Sequence, residues 1–228
     1  MRLRLLTACF GTAVLGVIPA FAQFTQIATP TSQYTGGTTL LTIPGANLST
    51  TTTLTNGTQT LTFSATVDVR QVPAGGWATW NSPPAVESAT PKVLAITTGL
   101  TTFTITLGTP ITLFGVEIEP NNGTQPITAT YFNGSTLLGT ISRSVVGTSG
   151  ALLFAGSSST AITSVVITLP SGASGFAMAQ FRYGTASTGP TSPVAAAPAL
   201  GMPALGGLAL ALLALGSLLA QRQSLNRT

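Results

Sequence analysis

Leu61-Thr62-Phe63-Ser64-Ala65-Thr66-Val67 alternates apolar and polar residues with a period of two, and so does Thr101-Thr102-Phe103-Thr104-Ile105-Thr106-Leu107. Successive side chains of a pleated strand point to opposite faces, so such runs make one greasy face and one wettable face. The stretch from Leu113 to Glu119 repeats the pattern. There Phe114, Val116 and Ile118 share one face, with Glu117 and Glu119 on the other. Val165, Ile167 and Leu169 line up within Ile162 to Leu169, and Phe176 to Tyr183 supplies a closing strand.

Turn residues punctuate these runs: Asn56-Gly57, Thr98-Gly99, Gly108-Thr109-Pro110, Asn121-Asn122-Gly123, Asn133-Gly134 and Ser171-Gly172. Asn133-Gly134 joins Ile127–Phe132 to Ser135–Val145. It is a hairpin signal because both residues tolerate positive φ. Strands at this spacing, with no amphipathic helix between them, predict an all-β antiparallel β-sandwich spanning residues 23–184. No fixed-period repeat points to a solenoid or propeller.

Only 5% of the 228 residues are charged, against about 25% in an ordinary soluble chain. Arg2 and Arg4 lie at one end, Arg222 and Arg227 at the other. Between them Arg70, Lys92, Arg143 and Arg182 cancel Asp68, Glu87, Glu117 and Glu119. The formal charge of +4 therefore belongs to the termini. A middle region without a Lys/Arg cluster has nothing to neutralise phosphates, which excludes a nucleic-acid partner despite a pI near 10.0. Histidine is absent and the single cysteine is Cys9. Triads, metal sites and proton shuttles built on histidine are excluded with it.

The termini read as targeting segments. Arg2 and Arg4 precede an apolar run to Ile18, Pro19 breaks it, and Ala20-Phe21-Ala22 presents small residues for signal peptidase. Residues 1–22 are thus expected to be a signal helix cleaved before Gln23. Cys9 opens the apolar run instead of following it, unlike an acylated lipoprotein cysteine. Residues 185–200, rich in Ser, Thr, Gly, Pro and Ala, read as a flexible linker. Residues 201–228 contain a charge-free stretch from Ala204 to Ala220 and then Arg222. This stretch is expected to form a short transmembrane helix whose basic end stays inside.

Met202-Pro203-Ala204-Leu205, an apolar helix and terminal Arg222 resemble the PEP-CTERM and IPTL-CTERM sorting signals. That resemblance implies processing by an exosortase-type membrane enzyme, and export alongside exopolysaccharide. A plain C-terminal anchor is the alternative. Phe114 to Asn121, Ile127 to Gly134 and Phe181-Arg182-Tyr183-Gly184 resemble the extracellular domain common among PEP-CTERM proteins. This implies a galactose-binding-like jelly roll and carries over no ligand site.

Two constellations in the middle region invite chemistry. Glu117, Glu119 and Asn121 recur every second residue, so they share one strand face. They are read either as solvated groups or as oxygen ligands for Ca²⁺; no other cofactor is expected. Trp77 and Trp80 lie in the Gly/Pro-rich segment Pro73–Pro84. They are read either as stacking platforms for a sugar or as side chains that pin the loop. Asp68, Arg70 and Glu87 flank that segment and are expected to form an internal ion pair. No residue set has the composition of a catalytic centre. The expected role is that of an exported, non-catalytic protein of the cell envelope or its surroundings, adhesive or structural. A carbohydrate-binding module for exopolysaccharide is the second reading and a glycan-active hydrolase a distant third.

Overall fold

The computed structural model describes residues 23–185. Residues 1–22 and 186–228, on which the expected signal helix, most of the linker and the expected sorting helix fall, lie outside the described residues. The chain runs through β1 (Phe24–Ile27), α1 (Ser32–Gly36), β2 (Thr39–Leu41), β3 (Thr50–Thr55), β4 (Thr60–Gln71) and β5 (Lys92–Ile96). It continues through β6 (Thr102–Pro120), β7 (Thr124–Asn133), β8 (Thr136–Val146), β9 (Leu152–Thr168) and β10 (Phe176–Gly184). The fold is all-β, and each of these strands pairs only antiparallel. Among the described residues no helix is long and apolar enough to cross a membrane.

The strands lie in the order β2-β10-β5-β4-β6-β9-β7-β8, with β1 beside β9 and β3 beside β4. The 19-residue β6 is the hub. Its first part pairs with β4, Phe63 opposite Ile105, and its second part pairs with β10, Met178 opposite Ile118. β5 pairs with both β4 and β10, so β4, β5, β10 and β6 form a closed circuit. The expected turn at Gly108-Thr109-Pro110 is not a turn. The strand runs through it, with register shifts against β9 between Thr106 and Leu113. Gln59, 1% exposed, substitutes for a strand partner there. Its amide donates to Thr109 O at 2.7 Å and accepts from Thr109 N at 2.9 Å.

Inside the circuit the inward residues fuse into one core. Phe63 and Phe103 lie 5.7 Å apart, Phe63 and Phe181 6.0 Å, and Phe103 and Phe176 5.6 Å. Offset rings at such distances add favourable edge and stacking terms to their area burial. Tyr131, Ile141 and Phe154 extend the core under the β7–β8 hairpin. The expected hairpin forms with its turn one residue further on: Asn133 ends β7 opposite Thr136, and Gly134, at φ +56°, opens the Gly134-Ser135 loop.

The opposite faces of β5, β6 and β10 are also covered. Val93, Ala95, Ala177 and Ala179 pack there with Val72, Trp77, Trp80, Val86 and Ala151 in a second apolar cluster. The segment between β4 and β5, residues 72–91, supplies the covering side chains. Ala95 on β5 and Ala177 and Ala179 on the adjacent β10 leave room for two indoles, so the loop packs onto the sheet. Beside it Tyr34 of α1 covers Leu113, Leu153 and Ala155.

Candidate functional site

Period-two alternation put Glu117 and Glu119 on a water-facing surface. The loop removes that surface: both residues are 0% exposed. Burying a carboxylate without partners is costly, and the loop brings the partners with it. Trp77 Nε1 donates to Glu119 Oε2 at 2.7 Å, and Trp80 Nε1 donates to Glu117 Oε2 at 3.1 Å. Glu119 also accepts from Gly150 N at 3.0 Å and from the Thr79 hydroxyl at 3.3 Å. The second oxygen of Glu117 accepts from Glu87 N at 2.6 Å. Loss of hydration pushes the Glu117 carboxyl up to about 8, against the opposing pull of its two N–H donors. Glu119 is raised for the same reason, with Trp77 and Gly150 opposing.

A second clamp holds the far end of the loop. Arg182 Nε donates to both oxygens of Glu87, at 2.7 and 2.8 Å. Its Nη1 donates to Thr35 O and Thr38 O, each at 3.1 Å, which ties α1 to the same guanidinium. The Thr31 side chain starts that helix by accepting from Tyr34 N. At the near end Arg70 pairs with Asp68 at 3.0 Å and donates to Gly76 O at 3.1 Å. The expected ion pair is therefore split. Asp68 and Arg70 pair with each other, whereas Glu87 takes Arg182, 95 residues away in sequence. Nothing local announced that partner.

The two indoles are 5% and 4% exposed, so neither presents a face for sugar stacking. They pin the loop, because the alanine floor accepts their rings and the carboxylates accept their N–H groups. Glu117, Glu119 and Asn121 do not converge as a Ca²⁺ site. The carboxylate oxygens are turned to N–H donors, and the Asn121 amide donates to Ser174 O at 3.2 Å. Among the described residues no group of three acidic, cysteine or histidine side chains is placed to hold a metal. An open cleft of about 490 Å³ lies over the Arg182–Glu87 pair, walled by Pro30, Ser32, Pro83 and Pro84.

Of the terminal residues expected to direct sorting, Met202, Pro203, Ala204, Leu205 and Arg222 lie outside the described residues, as do Ala20 and Ala22. Gln23, the first described residue, exchanges backbone and side-chain hydrogen bonds with Ser159 at 3.1 Å. No family model matches this sequence, and no curated protein matches it.

Proposed function

We propose that this chain is an exported, surface-sorted envelope protein whose β body acts without catalysis, as a structural or adhesive module. The supporting observation is the use made of charge. All eight charged side chains between residues 23 and 185 are engaged within the body itself. Four form ion pairs, two accept indoles, Lys92 Nζ donates to Gly45 O, and Arg143 Nη1 donates to Ala28 O. Little is left to act on a substrate, and threonine and serine wet the surface. The finer architecture in this reading is a jelly-roll sandwich similar to galactose-binding domains. It draws support from the long strands β6 and β9, which each pair with different partners along their length. The ends supply the route: signal peptidase at Ala22–Gln23, then an exosortase-type enzyme or a simple membrane anchor at residues 201–228.

Fractionation of cells expressing the full chain tests this reading. The expected product begins at Gln23 and sits in the envelope. Deleting residues 201–228 releases it as a water-soluble exported protein. A cytosolic product retaining Met1 overturns the proposal. The second reading, binding of exopolysaccharide, is favoured by the cleft over Arg182 and Glu87, where prolines stand beside the hydroxyls of Ser32 and Thr35. Because the indoles are buried, a glycan would be held there and not at Trp77 and Trp80. Glycan-array binding lost on Ser32→Trp but retained in Trp77→Phe would support it. An array without signal would remove it.

A further inference from the structure

β8 pairs with β7 alone; β1 packs close to it, but among the described residues no strand pairs along its other edge. At 11 residues it is far longer than the other edge strands, β1 with 4, β2 with 3 and β3 with 6. Soluble proteins blunt such edges with lysines, proline, bulges or short length, because a row of unpaired N–H and C=O groups templates another strand. β8 carries one irregularity, opposite Tyr131 and Phe132, and is otherwise unprotected. It has no proline, and its exposed side chains Thr140, Ser142 and Ser144 are uncharged. Its one charge, Arg143, is turned inward, donating to Ala28 O at 2.9 Å and lying 5.8 Å from the centre of the Phe154 ring. Two exposed large apolar side chains sit at its ends, Leu137 at 59% and Val146 at 45%.

We propose that the free edge of β8 is a self-pairing surface, to which a second copy of this chain adds its own β8 antiparallel. The end residues argue for an identical partner. Antiparallel alignment of two such strands brings Leu137 of each copy towards Val146 of the other, so both apolar ends are covered in one two-fold contact. Between them hydroxyl meets hydroxyl. Cross-strand Thr and Ser pairs hydrogen-bond, and Thr128 and Ser142 already do so within the hairpin at 2.9 Å. A charged peptide finds no complement along this edge. The inference deepens the proposed adhesive role by naming its contact as one between copies.

The test is sedimentation and amide hydrogen exchange on the full chain in detergent, over a range of concentrations. Wild type is expected to dimerise, with the amides of residues 137–146 exchanging more slowly as concentration rises. The double variant Thr140→Lys/Ser144→Lys sets like charges together across the contact. It is expected to keep its melting temperature and weaken dimerisation by at least about tenfold. A wild-type chain that stays monomeric overturns the proposal. So does association through the C-terminal tail, recognised by β8 amides whose exchange ignores concentration. The exchange readout needs no variant, so a double variant that fails to fold leaves the test intact. A monomer that still reaches the envelope overturns the pairing and leaves the surface reading standing.

Discussion

Glu117 is sealed from water and held by only two N–H groups, so it keeps its proton in the folded chain to a pH well above that of a free carboxyl. The unfolded chain releases that proton from about 4.5 upward, the folded chain only near 8. Between those values the unfolded state binds fewer protons, so stability falls as pH rises, by up to about 1.4 kcal/mol per pH unit for one such group. Glu119 and Glu87 are shifted in the same direction and add to the slope. Glu117→Gln keeps the side-chain shape and removes this titration. Thermal melting across that window is expected to show a shallower decline for the variant than for wild type. An unchanged slope would assign the titration elsewhere. The residue types here were legible in the sequence, and their pairing was not. Trp77 and Glu119 are 42 residues apart, and no period relates a loop to the strand beneath it. A signal did exist in the alanines at 95, 177 and 179, since a strand face lined with small residues on neighbouring strands is a face built to be covered.

At the scale of elements, α1 and the loop over residues 72–91 hang on one guanidinium. Arg182 serves Glu87 with its Nε, and with its Nη1 the α1 carbonyl of Thr35 and that of Thr38 just beyond the helix, and only a planar fork spans both. Arg182→Ala leaves Glu87 half-buried without its cation and is expected to cost about 3 kcal/mol. Arg182→Lys is expected to recover little of it. Urea denaturation gives the magnitude, and limited proteolysis shows whether cleavage moves into residues 72–91. The strands themselves were readable. The alternating runs at 61–67 and 113–119 fall inside β4 and β6, whereas 101–107 starts one residue before β6 and 162–169 ends one residue after β9. Their ends were not, because Gly108 and Pro110 carry turn chemistry yet sit mid-strand, where the Gln59 amide supplies the missing hydrogen bonds. Turn residues state what a backbone tolerates, and a partner elsewhere decides whether the chain turns.

Across residues 23–185 four basic and four acidic side chains are all engaged internally, and the proton held by Glu117 below about pH 8 leaves only a small positive excess, so little electric field extends beyond the surface. Long-range steering of a polyanion needs unbalanced charge. Residues 23–185 are therefore expected not to retard duplex DNA in a low-salt gel shift, although the full chain with its basic ends has a pI near 10.0; salt-sensitive retardation would contradict that balance. The β-class of the body could be read from alternation alone. The closure of β4, β5, β10 and β6 could not, because it depends on one strand changing partners halfway along.

The chain has only two tryptophans, and both lie in the loop that seals the acidic strand face. Its tryptophan emission therefore comes from that one place. Lifting the cover wets both indoles together, and their light shifts to longer wavelength with no other indole to mask it. The protein thus carries a built-in optical gauge of its own latch.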